Sequence, residues 1–79
     1  MSLNLNLFLD LRGVPCPTNF VKARLFLDKM TAGQTVEVLL DDGEPFENVT
    51  VSVREEGHLI SSSEHCAEGH HRVLIEKTS

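Results

Sequence analysis

The sequence has few cysteines, few basic residues and no long apolar run, and each shortage excludes a class of protein. Two cysteines in 79 residues are too few for the disulfide framework of a small secreted domain. With 7 basic residues against 12 acidic ones, no basic stripe interleaved with aromatics forms, so direct binding to nucleic acid is not expected. No segment approaches the roughly 18 apolar residues of a membrane helix. The short apolar start lacks the basic region of a secretion signal. We therefore expect one small cytoplasmic domain over residues 1–79, with no membrane contact.

The first half of the chain has the pattern of a strand, a helix and a second strand. Leucines occupy every second position from Leu3 to Leu11, which is the period of a half-buried strand. Pro17–Met30 is predicted to be a helix. Its apolar stripe consists of Phe20, Ala23, Leu27 and Met30. Thr31–Gly33 then ends the helix, and Gln34–Leu40, rich in valine and leucine, is the second predicted strand.

The second half of the chain has a less regular pattern of apolar and polar residues. Asp41–Pro45 is predicted to be an acidic turn. In Phe46–Glu56, alternating valines favour a strand, although the spacing of the apolar residues also fits a helix; the pattern alone favours the strand. Two further strands, His58–Ser62 and Arg72–Lys77, are predicted on either side of a polar loop, Ser63–His70.

A cysteine lies between two prolines where the first strand gives way to the helix, in the stretch L-D-L-R-G-V-P-C-P. We predict Cys16 at the N-cap and Pro17 at the first helical position, where its missing N–H costs nothing. The unpaired N–H groups of the first turn and the helix dipole would then favour the thiolate. Pro15 and Pro17 limit backbone freedom, which suits an exposed nucleophile. The alternative is that Cys16 only caps the helix or packs as a small apolar residue.

This stretch, followed by a helix, a T-A-G turn, a strand and Asp41-Asp42, resembles the TusA-like family of small sulfur-carrier proteins. Members look like L-D-x-x-G-x-x-C-P-x-P near the N-terminus, with Gly13 here at the glycine position. They also carry a D-D pair and a later G-H pair, here Gly57-His58. The resemblance implies an α/β two-layer sandwich in the order β-α-β-α-β-β, with two helices on one face of a mixed four-stranded sheet. It also implies that Pro45–Glu56 is the second helix.

The resemblance implies a function as well. Cys16 would accept a sulfur atom as a persulfide from a donor protein similar to a cysteine desulfurase or a rhodanese, and would pass it to an acceptor protein. No cofactor is implied, and we expect a monomer. Two alternatives stay open. One is a binding module of the same fold, with a protein or metal partner and Cys16 as a structural cap. The other is a redox sensor that forms a Cys16–Cys66 disulfide.

The chain departs from the family motif at Asn19, which replaces the second proline. We expect Asn19 at the third helical position, where a backbone N–H usually bonds to the capping residue. The hypothesis is that this N–H donates to the Cys16 sulfur and lowers its pKa.

Charged residues around the motif are candidates for partner docking or for support of the thiolate. They are Arg12, Lys22, Arg24, Lys29, Asp41 and Asp42.

The loop S-S-S-E-H-C-A-E-G-H-H contains the second cysteine, Cys66, and three histidines. If the third strand runs parallel to the first, this hairpin lies at the same end of the sheet as Cys16 and the aspartate pair. Cysteine and histidine suit zinc, but the adjacent His65-Cys66 pair lacks the usual ligand spacing, and no metal ligand is assigned. Cys66 as a resolving thiol and a plain solvated hairpin are the other interpretations.

Overall fold

A computed structural model describes residues 7–15 and 17–78 of the chain. The elements are β1 (Leu7–Asp10), α1 (Thr18–Asp28), β2 (Thr35–Asp41), α2 (Glu44–Glu55), β3 (Leu59–His65) and β4 (His70–Glu76). This is the predicted β-α-β-α-β-β order, and the four strands form one mixed sheet. The predicted fold class is therefore confirmed. Neither helix within these residues is long and apolar enough to cross a membrane.

The strand order β1-β2-β4-β3 determines which groups meet at each edge of the sheet. β1 pairs with β2 in parallel, and β4 pairs antiparallel with both β2 and β3. β3 therefore runs parallel to β1. The hairpin between β3 and β4 thus lies at the end of the sheet where β1 leads into the cysteine motif. Both crossovers advance in the same direction across the sheet, and since such connections are right-handed, α1 and α2 lie on the same face.

The core lies between the sheet and the two helices. Alternate residues of each strand point to the same face, and β2 shows this most clearly, with Val36, Val38 and Leu40 buried and their neighbours only half-buried. The remaining fully or nearly fully buried apolar residues are Leu11, Ala23, Leu27, Met30, Val49, Val53, Val73 and Ile75. The apolar stripe predicted for the first helix is thus confirmed, with Phe20 packed half-buried against the same cluster.

The segment whose pattern favoured a strand is helix α2, as the family resemblance implied. Gly43 precedes the helix with φ 90°, a conformation that glycine adopts readily, and Pro45 fits the first turn. The hydroxyl of Thr50 donates to the carbonyl oxygen of Phe46 at 2.7 Å, so this β-branched residue is accommodated within the helix. Burial of Val49 and Val53 against the sheet outweighs a strand propensity that is small and dependent on context.

The predicted polar loop over Ser63–His70 is wrong in extent. β3 continues to His65 and β4 begins at His70, so the connection is only residues 66–69. The N–H of Cys66 donates to the carbonyl of His70 at 2.7 Å, and that of Gly69 to the carbonyl of Cys66 at 3.2 Å. These bonds close a tight hairpin, and backbone pairing overrides the polarity of the side chains that had indicated a loop.

The start of the first predicted strand, at residues 3–6, lies outside the described residues. Over Leu7–Asp10 the predicted alternation holds: Leu7 and Leu9 pack against the core, whereas Phe8 is 52% exposed.

Candidate functional site

The loop after β1 is tied to β2. The N–H of Leu11 donates to the carbonyl of Leu39 at 2.9 Å, and the N–H of Gly13 donates to Oδ2 of Asp41 at 2.7 Å. Gly13 has φ 77°, in the left-handed region that favours glycine. Asp41, expected to support a thiolate or a partner, instead holds this loop against the carboxyl end of β2.

The residues on both sides of Cys16 are bonded to the first turns of α1. The carbonyl of Pro15 accepts the N–H of Asn19 at 3.0 Å, and the carbonyl of Pro17 accepts the N–H of Val21 at 3.1 Å. Cys16 itself lies outside the described residues, but the prediction that it is the N-cap of α1, with Pro17 at the first helical position, is wrong. Pro17 is the N-cap and α1 begins at Thr18, one residue later than predicted.

The backbone N–H of Asn19, which is the donor in the hypothesis above, is bonded to the carbonyl of Pro15 at 3.0 Å. The next N–H, that of Phe20, donates to Oδ1 of Asn19 at 2.6 Å. Two of the N–H groups expected to face the thiolate are therefore occupied within the described residues. The sequence prediction missed this because it placed the helix start one residue too early.

The Asn19 side chain is fully buried, which the sequence did not indicate. Within the described residues its Nδ2 has no hydrogen-bond partner.

Arg12 forms a bidentate ion pair with Asp10. Its Nε lies 3.0 Å from Oδ1 and its Nη2 2.9 Å from Oδ2. These bonds, together with the bond from the Arg12 backbone N–H, lower the pKa of Asp10 from 3.8 to about 2. The Arg12 side chain is thus occupied by its neighbour two residues earlier, on the chain leading to the cysteine motif.

Replacing Arg12 with glutamine is expected to raise the pKa of Asp10 towards 3.8. The rise should be incomplete, because the backbone N–H of residue 12 still donates to Oδ1 at 3.0 Å. Since the folded pKa is depressed, this carboxylate stabilises the fold above about pH 4, and the contribution disappears as the pH falls towards 2. An NMR titration of the Asp10 carboxyl carbon in both proteins measures this. An equal midpoint in the two would contradict the assignment.

Three of the basic residues suggested for partner docking lie on α1 or at its end, namely Lys22, Arg24 and Lys29. Lys22 and Arg24 are exposed on the first turns, and Arg24 lies 4.0 Å from Glu56, the C-cap residue of α2. Lys29 is the C-cap, at the other end of the helix from the cysteine motif. Of these three residues, therefore, only Lys22 and Arg24 lie near the start of α1 and the cysteine motif.

A cluster of two histidines and one carboxylate lies at the carboxyl end of β2. Nε2 of His71 donates to Oδ1 of Asp42 at 2.8 Å, and Nε2 of His65 lies 3.4 Å from Oδ2. The hydrogen bond from His71, followed by one from the backbone N–H of Gly43, lowers the pKa of Asp42. The ring of Phe46 stacks on His71 with centroids 3.8 Å apart.

Imidazole and carboxylate groups were predicted at this edge of the sheet, but the sequence pattern does not select which of them meet. The strand register does so: His71 pairs with Leu40 on one side and His65 on the other. Asp42 is the first residue after β2, and its carboxylate reaches Nε2 of His71 from there. Phe46, as the ring that holds His71, was missed, because α2 was not evident from the pattern. Cys66 is half-buried in the hairpin and is not a member of this cluster.

These features define a small two-layer α/β protein with a cysteine motif at its first strand–helix junction. The chain belongs to the TusA family, since the family model described as "Sulfurtransferase TusA" matches residues 7–77. A relative from Archaeoglobus fulgidus, named "Putative sulfur carrier protein", is 36% identical over 72 residues, covering 91% of this chain and 82% of the relative. The crystal structure of a SirA-like protein from Desulfitobacterium hafniense has the same fold, with a TM-score of 0.78 and 23% identity over 92% of this chain and 99% of that one.

Proposed function

We propose that the chain is a sulfur carrier that holds a sulfur atom as a persulfide on Cys16. The Cys16 thiolate attacks the outer sulfur of a donor protein's persulfide, the donor's S–S bond breaks, and the donor leaves as a thiolate. An acceptor cysteine then attacks the outer sulfur on Cys16 in the same way and releases the Cys16 thiolate. Each step exchanges one S–S bond for another, so neither an oxidant nor a cofactor is needed.

The observation that carries the proposal is the anchoring of the chain on both sides of Cys16. Before it, Gly13 is bonded to Asp41 and Pro15 to Asn19; after it, Pro17 is bonded to Val21. The described neighbours of the motif cysteine therefore have little conformational freedom to lose when a partner protein docks beside them. Membership of the TusA family and the name of the archaeal relative support the same function.

The experiment that tests the proposal is intact-protein mass spectrometry after incubation of the reduced chain with a cysteine desulfurase and cysteine. We expect a gain of one sulfur atom that is removed by dithiothreitol, located by peptide mapping to the fragment containing Cys16. No gain with this donor or with a rhodanese-type donor would overturn the proposal.

Helix α1 is the docking surface that we propose for donor and acceptor. Val21 and Leu25 lie four residues apart, and therefore on one side of the helix, and they are 48% and 56% exposed. Lys22 and Arg24 are exposed beside them, in a chain of net charge −5. An apolar pair with adjacent cations, directly after the cysteine motif, suits a partner surface with an apolar centre and acidic rim.

Replacing Val21 with glutamine is expected to weaken transfer from the donor by roughly fivefold, since burying the exposed half of a valine contributes about 1 kcal/mol. Val51, on α2, is 49% exposed, so Val51→Gln is a matched control that should leave transfer unchanged. The measurement is the initial rate of persulfide formation at limiting donor concentration. Equal rates for the two variants would exclude α1 as the docking surface.

A further inference from the structure

The face of the sheet that carries the helices ends in three groups able to bind a metal ion. Asp42, His65 and His71 each offer one ligand atom, a carboxylate oxygen or an imidazole nitrogen, and these three atoms all lie within 4.8 Å of one another. The two imidazoles face the same carboxylate, one oxygen each. None of these three groups takes part in the sulfur transfer proposed above.

We infer that Asp42, His65 and His71 form a binding site for a divalent transition-metal ion, for which Zn²⁺ is the best match. Two imidazole nitrogens and one carboxylate oxygen are a donor set that zinc takes in proteins, with a fourth position left to water. Tetrahedral ligands about 2.0–2.1 Å from zinc lie roughly 3.3 Å from one another. Each histidine is already near that separation from one oxygen of Asp42: Nε2 of His71 lies 2.8 Å from Oδ1, and Nε2 of His65 lies 3.4 Å from Oδ2.

The fold holds two of the three ligands in place before any ion arrives. His71 is on β4 between two paired strands, its side chain is only 13% exposed, and Phe46 stacks on its ring. Asp42 accepts the backbone N–H of Gly43 at 2.9 Å, which orients its carboxylate. A site on strands and anchored turns needs little reorganisation to bind.

His65 is the ligand that moves. Its side chain is 56% exposed, and its ring centroid lies 4.8 Å from that of His71, tilted by 55°. Closing on a shared ion requires a shift of at most about 1.5 Å, which is the difference between 4.8 Å and the tetrahedral separation. An exposed side chain at the end of an edge strand can make this movement.

The buried Nδ1 atom of His71 limits the affinity of the site for a metal ion. When Nε2 of His71 binds a metal, its proton resides on Nδ1, and Nδ1 is buried with no partner in the described part of the chain. Histidine ligands normally donate this second N–H to an acceptor, and loss of that partner weakens binding by roughly 10- to 100-fold. We therefore expect a reversible site, and one that chelators empty.

The test uses the full-length, tag-free chain with both cysteines replaced, Cys16→Ser and Cys66→Ser. This background removes thiol ligands, so that failure of metal binding is independent of any failure of sulfur transfer. Isothermal titration with ZnCl₂ is expected to show one saturable equivalent. NMR should show the ring signals of His65 and His71 shifting together.

Variants in this background distinguish the cluster from adventitious binding to any histidine. His65→Gln and Asp42→Asn change exposed side chains, so both should fold, and each should weaken Zn²⁺ binding by at least about tenfold. His58→Gln is the matched control. His58 directly precedes β3, at the other end of the sheet, where its Nδ1 accepts the N–H of Thr78 at 3.4 Å. Its loss should leave Zn²⁺ affinity unchanged.

The proposal is overturned by the absence of saturable binding in the double-serine background. It is equally overturned if His65→Gln binds Zn²⁺ as tightly as the background, or if His58→Gln weakens binding to the same degree. Circular dichroism of each variant confirms that a loss of binding is not a loss of fold.

Discussion

Replacing Cys16 with alanine is expected to abolish sulfur uptake completely, whereas replacing Cys66 with alanine leaves it intact. Alanine provides no nucleophile for the donor's persulfide, and no neighbouring group can substitute, because thiolate attack on sulfur is the reaction itself. Cys66 lies in the 66–69 hairpin, where its backbone closes the turn, and the proposal gives its sulfur no role.

The two alanine variants are matched, since each removes one thiol from the same chain. The measurement is the mass gain after incubation with donor, read as the fraction of protein that carries an extra sulfur atom. Retention of the gain in Cys16→Ala, or its loss in Cys66→Ala alone, would move the carrier role to Cys66. If neither the wild-type chain nor Cys66→Ala gained sulfur, but a partner protein still bound Cys16→Ala, the binding-module interpretation would replace the carrier.

The second prediction with a large expected effect is a loss of folding stability on truncation of a core side chain. Leu40→Ala is expected to lower the free energy of unfolding by about 2–5 kcal/mol, because it removes a large buried side chain and leaves a cavity. Leu40 is fully buried on β2, between the helices and the sheet. Proteins of this kind have only roughly 5–15 kcal/mol of stability, so the melting temperature should fall by at least about 8 °C.

Leu25→Ala is the matched control, the same substitution at a site 56% exposed on α1. It should change stability by no more than about 0.5 kcal/mol. Thermal and urea unfolding followed by circular dichroism measure both. A similar cost for the two leucines would mean that the core is not organised around β2 as described.

Leu40→Ala should also disturb the carboxyl edge of the sheet. Asp41, which holds Gly13, and Asp42, which binds His71, follow Leu40 directly. Weaker Zn²⁺ binding in a Leu40→Ala chain that is still folded would connect the core to the cluster. The position of Gly13, before the cysteine motif, and the position of the proposed metal ligand Asp42 thus both depend on the carboxyl end of β2.

Some of the architecture could be predicted from local pattern alone. The alternating leucines of β1, the valines of β2 and the apolar stripe of α1 repeat with the period of their element. Each was found as predicted over the described residues, which for β1 begin at Leu7. The fold class and α2 required the family resemblance. The pattern of α2 misled, because Val49, Val51 and Val53 alternate as in a strand while Val49 and Val53 also lie on one side of a helix. Only packing against the sheet distinguishes the two.

The sequence by itself determined the strand–helix order of the first half, the position of the cysteine motif and the acidic balance of the chain. These depend on short-range periodicity and on the identity of single residues. The tertiary structure decided the rest: that Asp41 holds Gly13, that Asn19 is buried with its N–H bonded to Pro15, and that His65, His71 and Asp42 meet. These contacts join residues on different elements or depend on a one-residue shift in helix start. They follow from strand register and crossover handedness, which no local pattern encodes.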